Sequence, residues 1–376
     1  MNDLHEYLSP VNSRLLNNDN AFGDQQLGNQ IRLHENQFPD LTNTDIVIVG
    51  VNEYRGAGYL PKKNAADAVR SQLYKLYHWH PDIAIADVGN IDCGSSLADS
   101  YAAIRIILKE LHAINKTVIV IGGSHDLTLA IYGAFKERGR LVEATVVDAR
   151  IDMMGESNLN TENFLLEMLT SEPNFVKHYN HIAFQSYFVH PRMLETIDKL
   201  RFDCFRVGLV KEQPEEMEPV IRNSDIFSFD MSALRHSDAP SGGISPNGLS
   251  GEEACSLFRY AGLSPVLSAA GIFGYEPATD EKNITAMQIA QMIWYFIDGK
   301  SRSKQEAELK DLANFNEYHT VFAEIDTVFL QSKKTGRWWM QLPDKKMIAC
   351  SYNDYVFASN NEIPERWLRA QEREIF

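Results

Sequence analysis

The sequence lacks the features that mark membrane, secreted and disulfide-rich proteins. No apolar run reaches the ~18 residues that a membrane-spanning helix needs. Residues 1–10 have neither a basic start nor an apolar stretch, so no secretory signal peptide is predicted. The four cysteines form no close pair, which argues against a disulfide framework or a zinc site. These absences favour a soluble protein with reduced thiols, and we expect a cytoplasmic location.

Positive charge is also scarce. The chain has 36 Lys and Arg residues against 51 Asp and Glu residues, which gives a formal net charge of −15 at pH 7. Because phosphate groups repel such a surface, neither nucleic acid nor an anionic membrane is expected as the main partner. Hydrophobic residues make up 44% of the chain and charged residues 23%, which is typical of soluble globular proteins.

Short apolar runs alternate with helical stretches through the central part of the chain. Strands are predicted at residues 45–50, 83–86, 117–121, 145–147, 181–184, 205–208, 225–229 and 265–268. Helices are predicted at residues 64–77, 97–114, 127–138 and 284–297. Apolar strands separated by helices are typical of a parallel sheet that is covered on both faces. The predicted fold class is therefore α/β, with three layers and a mainly parallel central sheet.

The two ends of the chain depart from this pattern. Residues 1–45 are polar and are predicted to form a loosely structured N-terminal arm with one short helix. Residues 301–376 are predicted to form a C-terminal extension with a short helix at 305–315 and a hairpin of strands 322–330 and 337–342. Its dense aromatic residues either bind a partner or pack the extension onto the main domain, and packing is favoured.

Four short segments rich in carboxylates and imidazoles follow predicted strands. They are Gly122–His125, Asp148–Asp152, Asp230–Ser232 and Tyr275–Pro277. Because the carboxyl ends of parallel strands meet at one edge of a sheet, we expect these segments to converge. Carboxylate and imidazole groups are the ligands that an ion such as Mn²⁺ prefers. A metal site at this edge is therefore predicted.

In this order and spacing, the four segments resemble the arginase/agmatinase/formimidoylglutamase family, the ureohydrolases. That family hydrolyses C–N bonds of guanidino or formimino compounds with two bridged manganese ions. The resemblance covers residues 46–300, and the stretch from residues 230–234 through 239–246 makes it closest to the formimidoylglutamases. It implies the arginase-like three-layer fold for this domain and a homo-oligomeric assembly.

The resemblance also implies a set of ligands for one of the two ions. These ligands are His125, Asp148, Asp152 and Asp230, and all are present. The ligands that only the second ion uses are replaced by Arg150 and Ser232. A guanidinium stays protonated and offers no lone pair, while a neutral hydroxyl is a poor substitute for a carboxylate. One manganese ion at most, or none, is therefore expected.

Arg150 suggests how the chain tolerates the loss of the second ion. Crowded carboxylates raise one another's pKa and need a positive charge nearby. We expect the planar guanidinium of Arg150 to pair with Asp148 and Asp230 where the second ion would lie. A further possibility is that this guanidinium fills the place of a substrate.

Asp152 and Glu276 are the catalytic residues that the resemblance implies. Glu276 is also expected to bind the guanidino or formimino nitrogens of a substrate, together with Asn158 and Asn160 on the loop after Asp152. This loop, residues 153–163, contains no histidine that would act as a proton shuttle or general acid.

Two kinds of function remain open on this basis. One is a hydrolase of weak or altered activity toward a formimino or guanidino amino acid, a small-molecule amidine. The other is a pseudoenzyme, in which the fold serves as a binding, regulatory or scaffold subunit. The complete ligand set of one ion favours the first, and Arg150 and Ser232 favour the second.

Overall fold

The computed structural model describes residues 4–12 and 22–375, and it has a ten-stranded sheet at its centre. Its strands are β1 (Leu8–Ser9), β2 (Arg32–Leu33), β3 (Ile46–Val51), β4 (Ile85–Ile91), β5 (Thr117–Ile121), β6 (Val142–Val147), β7 (Val176–Phe184), β8 (Asp203–Arg206), β9 (Ile226–Asp230) and β10 (Ala269–Phe273). The strand order is β1-β4-β3-β5-β10-β9-β6-β7-β8, with β2 also on β4. Within the described residues, every pairing is parallel except that of β1 with β4.

Helices cover both faces of this sheet. In the described part of the chain they are α1 (Leu27–Gln30), α2 (Ala65–Leu73), α3 (Leu97–Ala113), α4 (Leu127–Lys136), α5 (Asn160–Thr170), α6 (Pro191–Lys199), α7 (Val207–Glu212), α8 (Met217–Ile221), α9 (Gly251–Leu263), α10 (Ile284–Ser303), α11 (Tyr352–Ser359) and α12 (Glu365–Ile375). Buried residues of α2, α8, α9 and α10 form one apolar core, and those of α3, α4 and α5 form the other. The predicted three-layer α/β fold is confirmed.

The prediction of a strand at residues 265–268 is wrong. The strand β10 begins only at Ala269, because the preceding residues form a turn. The hydroxyl of Ser264 accepts hydrogen bonds from the backbone N–H groups of Val266 and Leu267. A side chain that satisfies its own local backbone competes with the ladder of a sheet.

The N-terminal segment is more ordered than predicted where the structure describes it. Strand β1 pairs with β4 through Leu8 and Ile91, and strand β2 pairs with it through Arg32 and Ala86. Apolar side chains that are scattered through this segment are buried, among them Leu8. The predicted short helix is present as α1, whereas residues 1–3 and 13–21 of the predicted arm lie outside the described residues.

The C-terminal extension forms a second, antiparallel sheet. Its strands, in sheet order, are β11 (Phe315–Phe322), β12 (Ile325–Ser332), β13 (Trp338–Gln341) and β14 (Met347–Cys350). The predicted hairpin is present as β12 and β13. The predicted helix at 305–315 is wrong, because the Glu306 carboxylate accepts hydrogen bonds from Ser332 and Arg337 and so ties this segment to the hairpin.

Two arginines join this extension to the α/β domain. The guanidinium of Arg222 donates a 2.7 Å hydrogen bond to the Trp338 carbonyl and lies 4.5 Å from the ring centroid of Trp339. In the opposite direction, Arg337 donates to the Leu263 carbonyl at 3.0 Å. Both tryptophans are buried, so these two residues pack the extension onto the α/β domain, whereas Tyr352 and Phe357 of the extension are exposed.

No helix among residues 4–12 and 22–375 has both the length and the apolar character that crossing a membrane requires.

Candidate metal centre

The centre is built at the carboxyl ends of four strands that are neighbours in the sheet, β5, β10, β9 and β6. His125 follows β5, Asp148 follows β6, Asp230 is the last residue of β9, and Glu276 comes shortly after β10. Because these strands are parallel, their carboxyl ends lie at the same edge. The predicted convergence of the motif segments is therefore what the sheet topology produces.

His125 is the central residue of the cluster. Its Nδ1 atom lies 3.0 Å from Oδ2 of Asp148, 3.1 Å from Oδ2 of Asp152 and 3.8 Å from Oδ2 of Asp230. On the other side of the ring, Nε2 is 3.1 Å from the hydroxyl of Ser228. This second contact fixes the ring so that Nδ1 faces the three carboxylates.

The charges of the cluster shift the pKa of each member. Burial opposes protonation of His125, but hydrogen bonds to Asp148 and Asp152 and the charge of Asp230 raise its pKa well above the ordinary value. Burial opposes ionisation of Asp148, but the hydrogen bond and charge of His125 hold its pKa well below the usual range.

The other two carboxyl groups are shifted in the opposite direction. Burial and the charge of Asp148 raise the pKa of Asp152 well above the ordinary value. The same two causes raise the pKa of Asp230 to about 6. The cluster therefore holds more negative charge than one imidazolium balances, and a further cation is favoured there.

The ligand atoms fit one divalent ion. His125, Asp148 and Asp152 each offer a nitrogen or oxygen atom, and these atoms lie within 4.8 Å of one another. Asp230 supplies a further carboxylate at the edge of this set. One imidazole with several carboxylates is a donor set that suits Mn²⁺.

The oxygens of Asp148 and Asp230 that do not face His125 accept hydrogen bonds from protein donors, and Arg150 and Ser232 offer no carboxylate or imidazole to a second ion. The Ser232 hydroxyl donates a 2.5 Å hydrogen bond to Oδ1 of Asp148, and the backbone N–H of Arg150 donates to the same oxygen at 3.0 Å. The backbone N–H of Ser232 donates to Oδ1 of Asp230 at 2.8 Å. The residues present therefore do not fit a second ion.

The family model for the arginases matches residues 44–298, more than half of the chain. The chain belongs to the arginase family. This match agrees with the predicted resemblance over residues 46–300, which is confirmed. No curated protein sequence matches the chain.

Solved structures of related enzymes share the fold. A formiminoglutamase from Trypanosoma cruzi with Mn²⁺ is 18% identical, with a TM-score of 0.66 over 74% of this chain and 99% of that one. Formimidoylglutamase from Bacillus subtilis is 16% identical, with a TM-score of 0.64 over 75% of this chain and 95% of that one. Proclavaminate amidino hydrolase from Streptomyces clavuligerus is 19% identical, with a TM-score of 0.61 over 74% of this chain and 97% of that one. At these identities the likeness shows the fold alone.

Arg150 does not take the place that we predicted for it in this arginase-family site. Its side chain is exposed, with the guanidinium carbon 5.7 Å from the ring centroid of Phe188. Among residues 4–12 and 22–375 it has no ion-pair partner, so the predicted pairing with Asp148 and Asp230 is wrong. The buried positive charge comes from His125 instead, and Arg150 avoids the cost of desolvating its guanidinium. That the Arg150 guanidinium fills the place of a substrate stays a prediction, because this residue lines the cavity that Asp152 also lines.

Glu276 lies near the cluster, together with two tyrosines that the sequence patterns did not predict. Its Oε1 atom accepts a 2.9 Å hydrogen bond from the backbone N–H of Ala278. Burial, followed by the charges of Glu276 and Asp230, raises the pKa of Tyr59 to about 12. Burial likewise raises the pKa of Tyr54, whose hydroxyl donates to the Tyr275 carbonyl at 2.5 Å. Both tyrosines follow β3, so the position of the loop after that strand is the signal that would have found them.

Asn158 and Asn160 are not part of the cluster. Asn158 is exposed, and Asn160 is the first residue of α5. Neither side chain forms a hydrogen bond with another described residue, and neither lines the cavity of about 380 Å³ that opens beside Asp152. Their role in substrate binding stays a prediction.

Proposed function

We propose that this arginase-family protein binds one divalent ion, which we expect to be Mn²⁺, and that it holds a formimino or guanidino compound next to this ion. The observation that supports this proposal is the asymmetry of Asp148. Its Oδ2 atom faces His125 and the other carboxylates, whereas Oδ1 accepts hydrogen bonds from Ser232 and the Arg150 backbone. One oxygen of Asp148 therefore faces the candidate ligands of an ion, and the other is engaged by protein donors.

Glu276 is the residue that we assign to binding the planar nitrogens of the amidine. A carboxylate accepts two parallel N–H bonds from a guanidinium or formimino group, which gives both attraction and orientation. The backbone N–H of Ala278 holds one oxygen of Glu276 in place. The hydroxyl of Tyr59, whose pKa is raised to about 12, is protonated at neutral pH and is a hydrogen-bond donor in the same region.

His125, Asp148, Asp152 and Asp230 would hold the ion, which when bound acidifies water and polarises a C–N bond. Two-metal hydrolysis is not expected, because the oxygens for the second ion are engaged by Ser232 and Arg150. The loop 153–163 has no histidine to protonate a leaving amine. We therefore propose binding without efficient hydrolysis.

A slow, single-metal hydrolase is the second candidate function. The complete ligand set for the first ion favours it, since one bound ion still lowers the pKa of water. It would act on non-peptide C–N bonds of a linear amidine. The cytoplasmic location and homo-oligomeric assembly remain proposals that rest on the sequence.

Metal stoichiometry tests the proposal directly. After loading with Mn²⁺ and desalting, elemental analysis is expected to find one ion per chain. Asp152→Asn should abolish this binding, whereas Asp99→Asn, which changes an exposed carboxylate that caps α3, should not. Two ions per chain would contradict the proposal that the second ion position is closed. A chain that binds no ion would contradict the proposed site for the first ion. An assay with N-formimino-L-glutamate then separates the two candidate functions, because only the hydrolase releases product.

A further inference from the structure

The antiparallel sheet of the C-terminal extension has an open edge at β11. Among the strands that the structure describes, only β12 pairs with this strand, because the sheet order is β11-β12-β13-β14. β11 is eight residues long and pairs with β12 from Phe315 to Phe322 without a shift of register. It lies beyond residue 298, where the match to the arginase family ends. The edge therefore belongs to the extension of this chain rather than to the arginase-like domain.

The backbone groups of every second residue of β11 point away from β12. The N–H of Lys333 donates a 2.9 Å hydrogen bond to the carbonyl of Asn314, so residue 314 and the even-numbered residues after it bond to β12. The outward-facing N–H and C=O groups belong to the odd-numbered residues, which are Phe315, Glu317, His319 and Val321. Within the part of the chain that the structure describes, none of these groups has a hydrogen-bond partner.

β11 lacks most of the features that block strand addition at native sheet edges. Lysine, proline and β-bulges are the usual ones. Residues 315–322 contain no lysine and no proline, and no bulge interrupts their pairing with β12. The carboxylate of Glu317 lies 2.8 Å from Nε2 of His319, and both side chains are exposed. An edge of this length with unpaired backbone groups is a template for a further strand.

The charges of β11 select one register for two copies of the strand. In an antiparallel pair related by a twofold axis, outward residues face outward residues. A register centred on Glu317 sets two carboxylates opposite each other, and one centred on His319 sets two imidazoles opposite each other. A register centred on Tyr318 instead places Glu317 of each copy opposite His319 of the other, and Phe315 opposite Val321. Complementary pairs stabilise a sheet, whereas facing like charges destabilise it.

We infer that β11 is a docking edge for a second copy of this chain, in the antiparallel register centred on Tyr318. Each facing pair of outward residues exchanges two N–H···O bonds, so the contact has about eight backbone hydrogen bonds between the copies. The imidazole N–H of His319 donates to the carboxylate of Glu317 across the twofold axis, in both directions. The two four-stranded sheets become one continuous sheet, and both open edges are covered.

Two variants of opposite charge test the contact on the full-length chain. His319→Glu sets carboxylates opposite each other, and the double variant Glu317→Lys/His319→Lys sets ammonium groups opposite each other. Light scattering during size-exclusion chromatography should find half of the wild-type particle mass for each variant alone. We expect the dissociation constant of the contact to rise by about tenfold or more.

Mixing the two variants in equal amounts is the decisive step. Carboxylates of one copy then face ammonium groups of the other, so the mixture should recover the wild-type particle mass. Such recovery also shows that both variants are folded. Glu308→Lys is the control, because it changes an exposed carboxylate of the same extension that pairs with Lys310, and it should keep the wild-type mass.

Cross-linking tests the register. In an antiparallel pair centred on Tyr318, the two Cα atoms of this residue lie about 4.5 Å apart, which suits a disulfide. Tyr318→Cys should therefore form a covalent dimer under mild oxidation. Thr320→Cys, which faces Asn316 of the second copy in this register, should not. The wild type, treated in the same way, controls for native thiols such as the exposed Cys93.

Three results would contradict the inference. A wild-type particle that has the same mass as both variants at every concentration would leave β11 free for a strand of another protein. A mixture that stays at half mass would show that the charges do not meet across the edge. No cross-link, or one through Thr320→Cys, would overturn the register centred on Tyr318.

The docking edge and the metal centre are tested separately, since none of these measurements depends on Mn²⁺. In dilute solution, where the edge is unpaired, Glu317 and His319 contribute to stability only through their exposed ion pair.

Discussion

The hydroxyl of Ser232 donates a 2.5 Å hydrogen bond to Oδ1 of Asp148, the oxygen opposite to the one that faces His125. Both residues are buried. This bond gives that carboxylate oxygen a neutral donor. It allows Asp148 to keep both oxygens hydrogen-bonded with a single cation nearby, as the proposed one-ion centre requires.

Restoring the lost carboxylate should therefore restore a need for metal. Ser232→Asp places a second negative charge against Asp148, and we expect the metal-free protein to lose about 2 kcal/mol of unfolding free energy. Combined with Arg150→His, it should bind two Mn²⁺ ions per chain and regain stability when Mn²⁺ is added. Elemental analysis and thermal unfolding with and without Mn²⁺ measure these effects. Ser237→Asp, at an exposed serine on the same loop, is the control. A double variant that still binds one ion would show that the second position is closed by more than these side chains.

His125 should stabilise the metal-free protein as well as bind the ion. Its Nδ1 atom is within 3.1 Å of two buried carboxylates, so His125→Asn leaves these groups without a cation. The expected loss is about 3 kcal/mol of unfolding free energy, together with loss of Mn²⁺ binding. Urea unfolding in the presence of a chelator measures the first effect. His319→Asn removes an exposed histidine that pairs with Glu317 and should cost under about 0.5 kcal/mol. Equal losses for the two variants would contradict the central role of His125.

Gly274 allows the chain to pass close to Asp230. A Cβ atom at this position would lie 2.6 Å from Oδ2 of Asp230, and the backbone has a φ of +76°. Gly274→Ala should push the carboxylate away and weaken Mn²⁺ binding about tenfold or more without changing any charge. Gly336 has a φ of +74°, but a Cβ atom there would have no neighbour within 4 Å, so Gly336→Ala carries only the backbone cost. Titration with Mn²⁺ compares the two, and unchanged affinity in Gly274→Ala would show that Asp230 is not a ligand.

The contact between α12 and β8 should depend on pH. Burial alone would raise the pKa of Asp203, but a hydrogen bond to His178 and the charges of His178, Arg373 and Arg369 lower it to about 2. Because the pKa is lower in the folded state, the ionised Asp203 stabilises the protein when the pH is above its unfolded-state pKa of about 3.9. This stabilisation is lost as the pH falls toward 2. Above pH ~5, the unfolding free energy of the wild type should exceed that of Asp203→Asn by roughly 2 kcal/mol. This difference in unfolding free energy should narrow below pH ~4.

Urea unfolding from pH 3 to pH 7 measures this gap. Asp311→Asn provides the control, because it changes an exposed carboxylate in the C-terminal extension whose hydrogen bond is to a neutral asparagine. A gap between wild type and Asp203→Asn that stays constant across this range would show that the charge of Asp203 does not hold α12.

Several elements were predictable from the sequence because a local pattern suffices for them. The apolar run Thr117–Ile121 is a strand with the predicted bounds, and the helix predicted at 97–114 ends within one residue of the observed α3. The strand at 265–268 and the helix at 305–315 were wrong. The observed conformations of these two segments depend on hydrogen bonds to Ser264 in the first and to Arg337 in the second. Hydrophobic periodicity carries no information about such partners.

The candidate metal ligands were also predictable, whereas the position of Arg150 was not. His125, Asp148, Asp152 and Asp230 follow strand ends, and a parallel sheet brings such positions together whatever the detail of the loops. The direction of the Arg150 side chain depends on the cation–π contact with Phe188, which is 38 residues later in the chain (188 − 150).

The sequence by itself determined the family, the alternation of strands and helices, and the chemical identity of each candidate metal ligand, because motif order and periodicity are local properties. The tertiary structure alone decided which oxygen of Asp148 remains for an ion, which residue supplies the buried positive charge, and what Arg150 faces. Those outcomes depend on distances of a few ångströms between residues far apart in the chain, where burial strengthens each hydrogen bond and charge.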